Sequence, residues 1–190
     1  MLHVRFATLA LVFTLLATAA TAATGAGAGA NELSVSLPSH DSLVLDLPDG
    51  WSARVIRPNP DLPPTVAFSG RDSRAFQMRV TPIMPKDESN RLTPETQRGM
   101  LEAMAEMLAA KSGETNVAPV QELSAPGRSG YYFSSVDPKP EANGYKYLTQ
   151  GLMSLGGLNI NFLVFAKENP QEAEQRGLEI MRSAWRAAAK

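Results

Sequence analysis

From Leu33 to Pro85 apolar and polar residues alternate in a strand-like pattern; the period then changes once to a helical one, returns to alternation, and changes again near the C-terminus. "DSLVLDLP" sets Leu43, Leu45 and Leu47 against Ser42, Val44 and Asp46, and "WSARVIRP" follows the turn Pro48-Asp49-Gly50. "TVAFSG" and "AFQMRVTPIMP" read as two further strands, the second placing Phe76, Met78 and Val80 against Gln77, Arg79 and Thr81. Alternation of this kind marks strands with one buried face. The stiff loop "RPNPDLPP" and the polar "PKDESNRL" bound these segments. Pro82 has no N–H for a ladder, so its strand is expected to end there or to reach a sheet edge.

At Thr93 the period lengthens. Thr93 suits an N-cap, Pro94 the first helical position, and Gly113 a left-handed residue at the C-terminus. Met100, Leu101, Met104, Met107 and Leu108 share one face. They predict an amphipathic helix of about four or five turns whose stripe, thioethers included, packs on a sheet. Methionine fills irregular cores well, which favours that reading over a surface role.

Strands return with "VAPVQEL", the turn "SAPGRSG" and "YYFSSV", where Tyr131, Phe133 and Ser135 oppose Tyr132 and Ser134. The loop "DPKPEANG" leads into "YKYLTQGLMSLGGLNINFLVFAKENP", the densest apolar run beyond the N-terminus. Gly156-Gly157 between two apolar halves is a two-residue hairpin signal, because glycine takes positive φ without a Cβ clash. On the outgoing strand Leu158, Ile160, Phe162, Val164 and Ala166 share a side, while Asn159 and Asn161 give way to Leu163 and Phe165 on the other. That pattern predicts a central strand with a helix across each face. A membrane hairpin is excluded by the short halves and by Gln150, Asn159 and Asn161, which would need partners in hydrocarbon.

The last helix is expected from Asn169, with Pro170 first and Glu172 at capping-box spacing. Ala173, Gly177, Ile180, Met181, Ala184, Trp185 and Ala188 form its inward face, and Trp51 and Trp185 are expected as core or boundary anchors. The fold class that follows is α+β, a mostly antiparallel sheet flanked by two helices, in one domain over residues 33–190.

The N-terminus changes the picture of where such a domain works. Arg5, the apolar run Phe6 to Leu16 and Ala20-Thr21-Ala22 have the layout of a Sec-type signal peptide over residues 1–22. No cysteine marks a lipoprotein, and one arginine before the apolar run does not make a twin-arginine signal. Residues 23–32 read as a flexible linker. Gly25, Gly27 and Ala30 match G-x-G-x-x-G/A there, but no strand precedes them and no helix follows, so no dinucleotide site is expected. Loss of Arg5 leaves a formal net charge of about −2. That balance gives no footprint for nucleic acid or anionic lipid. The chain has no cysteine, which removes disulfides, thiol catalysis and thiolate metal sites together.

Candidate chemistry is sparse. His40, the one histidine beyond the leader, could be set with Asp41 and a serine as a hydrolytic device. Adjacent loop residues rarely face one point, however, and no G-x-S-x-G elbow presents a nucleophile. Asp87-Glu88 is a carboxylate pair in a polar loop without a visible pocket. Met100, Met104 and Met107, with Met78 and Met84 nearby in sequence, offer soft ligands for Cu(I) in principle. No catalytic residue, resident metal or cofactor is assigned. Tyr131, Tyr132, Tyr145 and Tyr147 stand on two strands joined by one loop and are the candidate residues for protein contact.

The order of elements resembles the PsbP-like fold, an α/β/α sandwich shared with the Mog-type nuclear import factors. "LPDGW" (Leu47 to Trp51) is similar to the early Pro-x-Gly-Trp turn of bacterial members, and "GLNINFLVFA" and "LEIMRSAWR" (Leu178 to Arg186) to their closing strand and helix. The resemblance spans Leu33 to Lys190 and implies a non-enzymatic protein. It transfers no site residue, and the photosystem and small-GTPase roles of other members do not follow. The expectation is a periplasmic or secreted binding or accessory protein that contacts another envelope protein, with no nucleic-acid partner and no membrane segment after leader cleavage. The alternatives are an immunity protein against a periplasm-acting toxin, or a methionine-based copper binder.

Overall fold

The computed structural model describes residues 32–37, 41–57, 59, 62–70, 75–87, 90–113 and 117–188. The leader, the glycine-rich linker up to residue 31, His40 and Glu88 lie outside the described residues. Alternation becomes strand wherever it was read: β1 (Glu32–Ser36), β2 (Ser42–Asp46), β3 (Ser52–Ile56), β4 (Thr65–Ser69) and β5 (Phe76–Ile83). After α1 (Pro94–Ser112) come β6 (Gln121–Ala125), β7 (Arg128–Val136), β8 (Tyr147–Leu155) and β9 (Leu158–Ala166), then α2 (Pro170–Ser183) and β10 (Trp185–Ala187). Seven strands form one sheet in the order β3-β4-β5-β9-β8-β7-β6, with every pairing antiparallel. A second sheet has the order β1-β2-β10. The class is α+β, as the sequence predicted.

Gly156 and Gly157, at φ 53° and 82°, turn β8 into β9 with the positive angles that a two-residue hairpin requires. β9 is the middle strand of the seven. Its even-numbered residues Ile160, Phe162 and Val164 join Phe68, Met78 and Val80 in a core shared with α2 and with Leu43 and Leu45 of β2. Each fully buried phenylalanine or leucine there contributes roughly 1.5–3 kcal/mol. α2 approaches β9 closely because residue 177 is glycine; a Cβ there would run into the Val164 side chain. A smaller cluster on the opposite face joins Leu101, Ala105 and Leu108 of α1 to Phe133 and Leu152. The layers are therefore α1, the large sheet, and then α2 with the small sheet.

The α1 cap forms as expected: Thr96 N–H donates to Thr93 Oγ1 at 3.2 Å, and Gly113 closes the helix at φ 74°. Several expectations need correction. Asn169 makes no side-chain cap bond; it adopts φ 50° and ψ 55°, so its tolerance of the left-handed region is what it supplies, and no capping box forms. α2 stops at Ser183, and Trp185, 42% exposed, opens β10 instead of anchoring the core. The inward residue the pattern missed is Leu178. Pro82 lies inside β5 paired with Ile160, at a point where the β4 ladder, last registered at Val66–Val80, has run out, so the sheet-edge form of the expectation holds. The largest departure concerns β9. α2 crosses one of its faces, but α1 rests mainly on β7 and β8, and among the described residues no helix is centred over the half-buried Leu163 and Phe165.

Candidate functional site

The registers of the antiparallel ladders fix which side chains share the uncovered face, because directly paired residues project to the same side. One row runs Arg54, Ala67, Arg79, Leu163 and Gln150 across β3, β4, β5, β9 and β8. The next row holds Ser52, Ser69, Gln77 and Phe165. On the other side of Arg79, Thr81 faces Asn161, and the hydroxyls of Thr65 and Thr81 meet at 2.9 Å. This half of the sheet, β3-β4-β5-β9, is bare of helix among the described residues.

Its electrostatics are one-sided. Strands β3, β4, β5 and β9 carry Arg54 and Arg79 and no aspartate or glutamate. The Arg79 guanidinium lies 5.7 Å from the centre of the Phe165 ring. Its Nη2 donates to Gln77 Oε1 at 3.5 Å, the outer limit of a hydrogen bond, while Nε is buried without a partner. Phe165 in turn meets Tyr145 at 5.6 Å, and the Lys167 ammonium lies 6.0 Å from the Tyr145 ring. Burial raises the Tyr145 pKa, against a smaller lowering by Arg79, so the phenol stays a donor at neutral pH.

Two asparagines, one on from the other in the outward alternation of β9, behave differently. Asn159 is buried and used: its Oδ1 accepts from Leu92 N–H at 3.4 Å, and its Nδ2 donates to the Asn90 carbonyl at 3.3 Å. Ser154 beside it receives Gln97 Nε2 at 2.5 Å and donates to the Leu92 carbonyl at 3.3 Å. These bonds pin the segment leading into α1 to the sheet. Asn161 Oδ1 is also buried but has no partner.

α1 supplies the border. Gln150 Nε2 donates to the Met104 sulfur at 3.2 Å, which places the Met104 flank of the helix toward β8 and the bare strands. Arg98, on the opposite flank, pairs with Glu102 at 2.9 Å. Residues at i, i+4 and i+7 fall on one flank of a helix, so Met100 and Met107 accompany Met104. At 38% and 42% exposure these two are not buried core, contrary to the expectation for the methionine stripe. The buried residues of α1 are Gln97, Leu101, Ala105, Leu108 and Ala109, with Met104 packed partly against them and Met100 and Met107 rotated outward. Met78 and Met84 pack into the main core on the far side of the large sheet, so the five sulfurs share no common point.

The four tyrosines do not form one patch. Tyr131 is half-buried against the α1 cluster, and Tyr147 packs at the edge of the main core. Tyr132 is buried on the opposite face from Tyr131, with its hydroxyl donating to Gln121 Oε1 at 3.1 Å; desolvation and the neighbouring Glu174 raise its pKa, with Arg182 opposing. Pairing sets Tyr147 opposite Val136 at the end of the β7–β8 ladder and Tyr131 opposite Leu152 in its interior. Only Tyr145 belongs to the bare face. Arg54, Arg79, Asn161 and Phe165 were not singled out by sequence, although two arginines at alternating positions of strands without acids were a readable signal.

Other chemistry is tied down. Asp41 accepts from Arg186 Nε at 3.0 Å, joining β10 to the loop before β2. Ser134 donates to Glu174 and meets Thr149 Oγ1 at 2.8 Å beneath α2. There is no histidine among the described residues, and no group of three or more acidic or imidazole side chains there is placed to hold a metal ion. No described helix is long and apolar enough to cross a membrane.

By sequence the chain matches no family model and no curated protein. Among solved structures it is similar to the solution structure of cyanobacterial PsbP (CyanoP) from Synechocystis sp. PCC 6803, with a TM-score of 0.47 and 14% identity over 86% of this chain and 96% of that chain.

Proposed function

We propose that the protein is an exported, non-enzymatic binding or accessory protein that contacts another protein of the cell envelope through the bare half of its large sheet. The carrying observation is the composition of that half: two arginines on four strands that carry no aspartate or glutamate, a phenylalanine and a tyrosine in contact, and a methionine flank beside them. Arginine, aromatics and methionine are the residues enriched at protein interfaces. Export is supported by the charged, apolar and small-residue order of residues 1–22. The non-catalytic reading is supported by the ion pair that ties Asp41, the acid beside His40 in sequence, to Arg186.

Site-specific photo-crosslinking in intact cells tests this. A photoreactive phenylalanine at Gln77 or Leu163 should give discrete adducts with an envelope protein, while the same residue at exposed Glu179 on α2 should not. Adducts from both faces alike, or from neither, would refute the assignment.

A further inference from the structure

We infer that the bare half-face binds an acidic polypeptide segment in extended form, with its carboxylates taken by Arg79 and Arg54; this deepens the proposed function and rests on it. The whole chain has a formal charge of −1, yet the acids are absent from the four strands of this face while both arginines of those strands share one row of it. Stacking on Phe165 orients the Arg79 guanidinium, and its weak bond to Gln77 and unpartnered Nε leave hydrogen-bonding capacity unused. A carboxylate fills that capacity with charge-assisted bonds in the planar geometry that guanidinium favours.

The second orphan discriminates between anions. Asn161 Oδ1 is an acceptor, so its partner must bring a donor. The phosphate of an ionised phosphodiester offers only acceptors and leaves it unsatisfied, and the free phosphate ion, which keeps an O–H at neutral pH, brings nothing apolar for Leu163 and Phe165. A polypeptide brings both, carboxylate oxygens for Arg79 and backbone N–H for Asn161. Leu163, Phe165 and Met104 supply apolar floor and border for a side chain between the acids. The spacing agrees. Arg54 and Arg79 flank Ala67 on alternate strands, about 10 Å apart at the backbone, and same-side residues of an extended peptide lie about 7 Å apart, a difference that the long side chains span.

The probe is a capped heptapeptide, Gly-Ser-Glu-Leu-Glu-Ser-Gly, titrated into the isotopically labelled processed chain and followed by amide chemical shifts. The comparison ligands are the same peptide with both glutamates replaced by glutamine, inorganic phosphate, and vesicles containing phosphatidylglycerol. Saturable shifts are expected at Ala67, Arg79 and Leu163, with the glutamine peptide roughly tenfold weaker or worse, in line with the worth of a hydrogen bond to a charged group. Arg79→Gln should weaken binding by roughly tenfold, Arg79→Lys by less, and Arg176→Gln on α2 should change nothing. Arg54→Gln, at an exposed edge site where folding is not at stake, should weaken it severalfold. Raising salt to about 1 M, where the Debye length is about 3 Å, should weaken the acidic peptide alone. Equal affinity for both peptides, shifts centred elsewhere, or binding unchanged by both Arg79→Gln and Arg54→Gln would overturn the inference, as would phosphate or vesicles occupying the face that the peptide does not. Photo-adducts at Leu163 without a preference for acid would leave the proposed function standing and sink only the acidic ligand.

Discussion

Replacing Arg79 by methionine should stabilise the free protein. If the guanidinium served the fold, its loss would remove interactions the native state depends on. The structure gives it few. The Nη2 bond to Gln77 is stretched to 3.5 Å and contributes little, and the contact with Phe165 at 5.7 Å adds about 0.5–1 kcal/mol for a cation over a partly exposed ring. Against these stands a buried Nε with no partner, a desolvation cost of about 1–3 kcal/mol. Methionine keeps most of the stem on Ala67 and Phe165 and removes the orphan donor. The net gain comes to about 1 kcal/mol, reduced from the upper figure because Arg79 is only half-buried. In a domain of this size that is about 2–4 °C in Tm. Urea denaturation of the protein, fitted with a common slope, measures it directly. A loss of about 1 kcal/mol or more would refute the reasoning, since Arg79 would then be part of the scaffold and its row would give no argument for a ligand. A gain in stability joined to a loss of binding is the trade expected of a functional residue.

Gly151 lies opposite Phe162 in the middle of the sheet, where a Cβ would meet the Phe162 ring and come within 2.8 Å of the Tyr131 carbonyl oxygen; Gly151→Ala should therefore cost about 1–3 kcal/mol in urea denaturation. Tyr132 and Tyr145, whose pKa values are raised, should lose their protons above the ordinary tyrosine value of about 10 in an ultraviolet titration, and Tyr145→Phe should remove one late transition. A raised folded pKa means that the stability from these protons is intact below the unfolded value and lost as pH climbs through the folded ones, so the melting temperature should fall only in that alkaline window. Brief peroxide treatment followed by peptide mapping should oxidise Met100 and Met107 first and Met78, Met153 and Met181 last; simultaneous oxidation would show that α1 packs its methionine flank after all.

How much of this was legible in the sequence depends on the range of the interaction. The Gly156-Gly157 hairpin, the Thr93 cap and the Gly113 stop are settled by residues within a turn of one another, and all three form. Where a residue fits two local devices, pattern alone chose wrongly: Asn169 suits both a side-chain cap and a left-handed backbone, and the structure uses the second. The rotation of α1 was off by part of a turn because methionine and alanine both count as apolar. Ala105 and Ala109 fit beneath the helix, where the approach to the sheet is close, and Met100 and Met107 go outside. The tyrosines were adjacent in sequence but were divided by the pleat and by the ladder register, which no local reading supplies. β10 was missed because three residues continuing a helical pattern carry too little signal against tertiary pairing with β2.

The bare half-face follows from dimensions. Seven strands at about 4.8 Å spacing make a sheet about 29 Å across, whereas one helix with its side chains is about 10–12 Å wide. α2 and the three-stranded sheet together close one face, but α1 alone covers only two or three strands of the other. The residues track this division: Phe133 and Leu152 lie under α1, while Gln77, Arg79, Thr81 and Asn161 lie beyond it. A sheet half left to water is usually furnished with threonine and paired charges of both signs. Here the charges on the four strands are of one sign, and Phe165, Tyr145 and Leu163 remain half-buried beside them. A surface that mixes arginines on acid-free strands with aromatic and thioether side chains is poorly matched to solvent and well matched to an acidic partner, and that mismatch, more than any single residue, favours this face as the contact surface we propose.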